Sequence, residues 1–257
     1  MLNNKYVYTH IFLILFFIGS CDGPSQFIPS KSTESLHYDV IHIDKEKKKT
    51  HYKQSYKIVS NDKKNLKLLR NDGKLISYSI DENEIKLNEV DYIFEGFINL
   101  PKDKLNYENK NVILRFPLKE GLSWETNDLT TLIMKMGYDR IFQTLLPIEI
   151  ENQVMSLKDN IKINGALVKN CVKVVGIGKT SYNPGPPLDN INITVKINRW
   201  YYPGLGLIKM TREESSDSET MGSVFYEKTI NFWWLIKLLA LCAQIMQKHT
   251  WLILFLA

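Results

Sequence analysis

Apolar and polar side chains alternate along much of the chain between residues 36 and 231. The apolar residues keep one parity in several runs: Tyr52, Tyr56 and Ile58; Ile76, Tyr78 and Ile80; Val112, Leu114 and Phe116; Ile193, Val195 and Ile197. Successive side chains of a β-strand point to opposite faces, so this pattern predicts half-buried antiparallel strands rich in β-branched and aromatic residues. Residues 36–231 are therefore predicted to form a mainly β domain.

Turn-forming residues separate these runs. Asn71-Asp72-Gly73 and Asn164-Gly165 predict short hairpin connections, and the NPGPP stretch at 183–187 excludes regular structure.

One interior stretch has helical spacing instead. It follows Asn127-Asp128, a suitable N-cap, and Pro147 stops it. Its apolar residues fall at i, i+3, i+4 and i+7 and then restart: Leu129, Leu132, Ile133 and Met136, followed by Tyr138, Ile141, Phe142 and Leu145. We expect one or two helices in the middle of the β domain.

The N-terminal region has the organisation of a secretory signal. The apolar run IFLILFFI at 11–18 follows Lys5 and His10 and precedes Gly19-Ser20-Cys21. A membrane-spanning helix needs about 20 apolar residues, so residues 1–20 are predicted to be a helical signal peptide.

The end of this signal, Ile18-Gly19-Ser20-Cys21, resembles the bacterial lipobox. The resemblance implies that Cys21 begins the mature chain, carries thioether-linked diacylglycerol and an amide-linked acyl chain such as palmitate, and starts a tether over residues 21–35. Several acyl chains would anchor far more strongly than a single myristoyl chain, which binds only marginally. The alternative is a buried cysteine near an ordinary cleaved signal.

Asp22 is the candidate sorting residue. An aspartate directly after the lipidated cysteine resembles the enteric-type signal for retention in the inner membrane. We expect a lipid-anchored protein of the cell envelope that faces the periplasm, and the choice between inner and outer membrane stays open.

The net charge of +5 is unevenly distributed. Residues 31–74 contain 12 Lys and Arg against 6 Asp and Glu. Such a segment suits either anionic lipid headgroups or, the preferred interpretation, solvated turns between strands. Nucleic acid is not an expected partner because no basic and aromatic recognition motif is present.

Three stretches carry a second resemblance. They are FPLKEGLSW at 116–124, VKNCVKV at 168–174 and WYYPGLGLIK at 200–209. In this order and spacing they resemble the TapB-like family of bacterial envelope proteins, many of them lipoproteins. The resemblance implies an extended antiparallel sheet or open half-barrel like that of the LolA and LolB lipoprotein carriers.

The signature residues of these stretches have structural roles. Trp124 and Trp200 are predicted to bury large side chains. Pro203, Gly204 and Gly206 suit a tight bend between two strands.

Catalytic and metal-binding patterns mostly fail. The GIGKT stretch at 176–180 lacks the glycine that a phosphate-binding loop needs five residues before Gly178, where Lys173 stands. His37, His42 and His51 do not have the spacing of a zinc pair. We expect no enzyme activity, no cofactor and no metal. A disulfide between Cys171 and Cys242 is disfavoured, because one lies in a strand-like stretch and the other in an apolar tail, but it is left open.

The apolar segment 232–257 leaves three interpretations open. It is a tail that inserts into the membrane, an interfacial or partner-binding helix, or a frameshifted end that replaces a polar strand.

Two functions suit these observations. The first is a non-catalytic envelope lipoprotein that binds a lipid-like ligand on its sheet. The second is a membrane-tethered assembly or scaffold factor that binds a partner protein.

Lipidation at Cys21 is directly testable. We expect the mature wild-type protein to lack residues 1–20, to carry diacylglycerol mass and to fractionate with membranes, because the thiol of Cys21 is the acceptor. Intact-mass and fractionation analysis of Cys21→Ala should show neither the cleavage nor the lipid mass. A Cys21→Ala protein with the wild-type modification would contradict the assignment.

Overall fold

The computed structural model describes residues 23–30, 33–62, 64–92, 111–130, 132–136, 140–143, 146–183, 185, 190–219 and 221–231. Cys21, Asp22 and the apolar segment 232–257 lie outside the described residues. Within these ranges a short 3-10 helix, Pro24–Phe27, precedes fourteen strands. They are β1 Ser35–Ile43, β2 Lys49–Asn61, β3 Asn65–Arg70, β4 Lys74–Ile80, β5 Glu84–Tyr92, β6 Val112–Arg115, β7 Ser123–Leu129, β8 Ile133–Met136, β9 Arg140–Gln143, β10 Pro147–Ile163, β11 Ala166–Tyr182, β12 Ile191–Tyr202, β13 Gly206–Ser216 and β14 Ser223–Ile230.

Twelve of these strands form one antiparallel sheet. Their order is β6-β5-β4-β3-β2-β1-β14-β13-β12-β11-β10-β7. The sheet has two halves, one from β6 to β1 and the other from β14 to β7, and hairpins between consecutive strands build most of each. The pairing of β1 with β14 joins the two halves. No helix in the described ranges is long and apolar enough to cross a membrane.

The two edge strands of the sheet, β6 and β7, come together. The indole Nε1 of buried Trp124 on β7 donates to the carbonyl oxygen of Val112 on β6 at 2.9 Å. A second contact crosses the interior, where Arg212 Nη1 on β13 lies 2.5 Å from Asp128 Oδ2 on β7. Four strand steps separate β13 from β7, and in a flat sheet they would span about 19 Å. The sheet is therefore curled into a nearly closed barrel.

The predicted alternation and hairpins are confirmed. Tyr56, Ile80, Leu114 and Val195 are buried on the inner face of their strands. Asn164 and Gly165 have φ angles of 50° and 84° in the turn between β10 and β11, as the favoured two-residue hairpin turn requires.

The predicted helices over 129–145 are wrong. In the described part of this stretch the backbone forms the hairpin of β8 and β9, in which Ile133 lies opposite Gln143. Strands β7 and β10 already pair up to Leu129 and Pro147, and Thr130 N continues this pairing by donating to Leu146 O at 2.9 Å. A segment that leaves and returns between two paired antiparallel strands satisfies its backbone as a further hairpin.

Two hydrophobic clusters fill the barrel. The larger one includes Phe27 of the 3-10 helix and residues from most strands, and the smaller one lies around Ile150, Ile193 and Met221. Gly178 on β11 allows β10 to pack closely, because a Cβ there would lie 2.6 Å from Glu149 O and 2.5 Å from Ile150 Cδ1.

The close packing at Gly178 predicts that Gly178→Ala destabilises the fold. We expect the free energy of unfolding to fall by about 1–3 kcal/mol in urea denaturation, because the new methyl group meets backbone. The control is Ile177→Ala at the neighbouring exposed position, which should change stability by less than about 0.5 kcal/mol. Equal stability of Gly178→Ala and wild type would contradict this packing.

Candidate functional site

A cavity of about 300 Å³ lies inside the barrel, against the 3-10 helix. Its walls are apolar and aromatic, with four tyrosines and the two cations Arg199 and Lys228. The lining residues are Phe27, Ile28, Pro29, Leu36, Tyr38, Tyr56, Leu66, Leu68, Tyr78, Ile85, Ile113, Leu114, Arg199, Tyr201, Leu205, Gly206, Leu207, Met210 and Lys228. No carboxylate belongs to this set of described residues.

Residues 23–30, which we call the N-terminal plug, form one wall of the cavity. Backbone hydrogen bonds fasten the plug to the turn between β12 and β13: Gly204 N donates to Gln26 O at 2.6 Å, and Ser30 N donates to Gly204 O at 2.9 Å. Asn61 Nδ2 on β2 donates to Pro29 O at 2.8 Å. A Cβ at Gly206 would lie 2.9 Å from Phe27 O, so a glycine is needed where the plug crosses the turn.

Lys228 enters the cavity from β14 and is only 8% exposed. Its Nζ donates to the Tyr56 hydroxyl at 2.6 Å and lies 4.1 Å from the ring centroids of both Tyr38 and Tyr56. The Tyr56 hydroxyl donates in turn to Gln54 Oε1 at 2.7 Å. Within the described part of the chain, Lys228 forms no ion pair with a carboxylate.

Burial sets the protonation of the cavity. Burial, together with the smaller effect of the positive charge of Arg70 on β3, lowers the pKa of Lys228 to about 7. Burial raises the pKa of Tyr78 to about 12 and that of Tyr38 well above its usual value. The tyrosines thus keep their hydroxyl protons near neutral pH, whereas Lys228 changes its charge there.

Arg199 reaches the same cavity from β12. Its Nη1 donates to Asn152 Oδ1 on β10 at 2.8 Å, across the intervening strand β11. Gly176 on β11 leaves room for this contact, because a Cβ there would lie 2.8 Å from Asn152 Oδ1. Asn152 Nδ2 also donates to Thr126 Oγ1 at 2.9 Å. The partner of this cation is therefore a neutral amide.

A third inward cation, Arg212 on β13, has acidic partners. Its Nε donates to Glu214 Oε1, its Nη1 to Asp128 Oδ2 and its Nη2 to Leu129 O, each at 2.5 Å. Burial alone would lower the pKa of Arg212, but the charges and hydrogen bonds of Asp128 and Glu214 raise it. The two carboxylates balance the positive charge of Arg212, and the ion pair with Asp128 helps to close the barrel.

The predicted signature residues lie at three structural positions. Trp124 is buried where β7 meets β6. Trp200 on β12 is partly buried, and its Nε1 donates to Asp159 Oδ2 at 2.8 Å. Pro203, Gly204 and Gly206 belong to the turn that holds the N-terminal plug. None of the three turn residues except Gly206 lines the described cavity.

The glycines of the GIGKT stretch and Cys171 have structural roles. Gly176 and Gly178 are in the middle of β11 under the side chains of β10. Cys171 is buried without a disulfide, and burial raises its pKa to about 11, with Asp159 adding to the shift. Across the ranges that the structure covers, no three His, Cys, Asp or Glu side chains gather as metal ligands.

Sequence reasoning missed Lys228 and Arg199. Both have the inward parity of apolar neighbours, Lys228 with Tyr226 and Ile230, and Arg199 with Ile197 and Tyr201. The sequence pattern that could have identified them is a cation at an inward position of a strand whose other inward residues are apolar.

Two solved structures are similar to this chain at low levels. One is a protein of Bacteroides fragilis NCTC 9343 described as exported and as having a YmcC-like fold, with 13% identity and a TM-score of 0.35 over 80% of this chain and 99% of that one. The other is described as a lipoprotein of Parabacteroides distasonis ATCC 8503, with 12% identity and a TM-score of 0.38 over the same shares. These TM-scores are too low for an inference of shared function. No family model and no curated protein matches the sequence, so the TapB-like resemblance stays a prediction.

The low pKa of Lys228 predicts a pH dependence of stability. The folded protein loses this proton near pH 7, whereas the unfolded chain keeps it up to about 10.5. Between these values the unfolded state holds more protons, so wild-type stability rises with pH. Lys228→Met should remove this contribution and be more stable than wild type by about 1–4 kcal/mol near pH 6.5, with the gain shrinking toward pH 9.5.

Urea denaturation at the two pH values measures this effect. Lys196→Met, on the exposed outer face of β12, is the matched control and should keep the wild-type slope. Parallel pH profiles of Lys228→Met and wild type would contradict the assignment.

Proposed function

We propose that the protein is a non-catalytic lipoprotein of the bacterial cell envelope that binds a lipid-like molecule inside its barrel. The observation that carries the proposal is the cavity of about 300 Å³ with apolar and aromatic walls. Ligand sites in proteins are typically concave and mostly apolar, with a few polar groups that orient the ligand. The curled sheet supports a site in the barrel interior rather than on an open face.

The lipobox supports an orientation for this cavity. Only Asp22 separates Cys21 from Gly23, so two Cα–Cα steps of the chain put the start of the N-terminal plug within about 7 Å of the proposed anchor. The plug supplies Phe27, Ile28 and Pro29 to the cavity wall. With Cys21 in the bilayer, the plugged end of the barrel faces the membrane, and a lipid enters or leaves beside the plug.

The sequence supplies the proposed membrane and the proposed family. Asp22 favours retention in the inner membrane with the barrel in the periplasm. The three signature stretches favour a TapB-like envelope protein. The non-catalytic role is proposed because the polar groups of the cavity are tyrosine hydroxyls and cations, a set that suits binding.

A second candidate function is supported by a basic outer face. Lys49, Lys53 and Lys57 share the outward parity of β2 and are exposed. Such a row suits an acidic surface of a partner protein, as expected for a membrane-tethered scaffold. Crosslinks from these lysines to one defined envelope protein in intact cells would favour this function.

Filling the cavity tests the ligand-binding function. We expect Leu68→Phe to lower the extractable lipid per full-length protein several-fold, because Leu68 is a buried lining residue. Mass spectrometry of organic extracts measures this lipid, since covalently attached acyl chains stay with the protein.

The matched control is Leu167→Phe, at a position 54% exposed on β11. It should retain the wild-type amount of lipid. Equal recovery from Leu68→Phe and Leu167→Phe, or no lipid from wild type, would argue against a ligand in the cavity.

A further inference from the structure

We infer that the cavity selects an anionic amphiphile, with the carboxylate or phosphate head bound by Lys228 and the apolar chain lying among the aliphatic walls. This inference rests on the proposed ligand-binding function and deepens it by assigning the charge of the head group.

The charge balance of the cavity is the first argument. Its described lining holds two cations, Arg199 and Lys228, and no carboxylate. Their hydrogen-bond partners are neutral: the Asn152 amide oxygen and the Tyr56 hydroxyl. A buried cation without a counter-charge is costly, so an anion inside the cavity gains a strong interaction. The same interior gives Arg212 two carboxylates, which shows how the fold compensates a cation that no ligand needs.

Unused hydrogen-bond donors are the second argument. The ammonium group of Lys228 has three N–H donors, and one of them is used by Tyr56. Tyr78 and Tyr201 also line the cavity, and Tyr201 is only 4% exposed. Within the described residues neither hydroxyl forms a hydrogen bond with the protein. Buried hydroxyls normally have partners, so these donors suit the oxygen atoms of an anionic head.

The size and walls of the cavity define the rest of the ligand. About 300 Å³ is at the lower end of the range for small-molecule sites, which suits one apolar chain rather than a diacyl lipid. Aliphatic side chains from β1, β3, β5 and β6 form the surface for this chain: Leu36, Leu66, Leu68, Ile85 and Leu114. A bound anion also favours the charged form of Lys228, which burial in apolar surroundings disfavours.

The experiment compares three probes of twelve carbon atoms each: laurate, dodecyl phosphate and dodecanol. Binding to the full-length protein in a neutral detergent is measured by native mass spectrometry. Wild type should bind laurate or dodecyl phosphate at least about tenfold more tightly than dodecanol. The order of the two anions distinguishes a carboxylate from a phosphate ligand.

Lys228→Met should bind all three probes at the level of dodecanol, and its urea denaturation reports whether it is folded. Lys196→Met, which removes an exposed lysine from the outer face, should behave as wild type. If Lys228→Met keeps the preference for anions, or wild type binds dodecanol as tightly as laurate, the inference is overturned while the ligand-binding function stands. If wild type binds none of the probes, the ligand-binding function fails as well.

Discussion

The hydrogen bond from the Trp124 indole to the Val112 carbonyl joins the two edges of a twelve-stranded sheet. An open edge exposes unpaired backbone groups, whereas a curled sheet with adjoining edges encloses its inner face. Every inward side chain must then pack, find a partner or line a cavity. The glycines of β11 and the N-terminal plug follow from this requirement, because they allow close packing inside the barrel and cover its end.

The inward cations of the barrel have two kinds of partner. Arg212 is compensated by Asp128 and Glu214, and this ion cluster holds β13 close to β7. Lys228 and Arg199 have neutral partners and line a cavity among tyrosines. The first arrangement is self-sufficient and stabilises the fold. The second leaves positive charge directed at the cavity, a property that suits a binding site.

Local patterns predicted the strands better than the connections. The alternation around Tyr56 and Val195 requires only that one face of each strand is buried, and this holds in the barrel. The helical spacing from Leu129 was misleading, because the antiparallel pairing of β7 with β10 imposes a hairpin on the segment between them. Pairing between distant strands outweighs local periodicity in a short segment.

The sequence by itself determined the β class and the hairpin turns, and it predicted a lipobox at Cys21, because these depend on neighbouring residues. Only the tertiary structure decided that Lys228 meets Tyr38 and Tyr56 and, among the described residues, no carboxylate, while Arg212 meets Asp128. The inward parity of both cations is visible along the chain. Their partners come from strands far away in sequence, and the curvature of the sheet sets which of them approach.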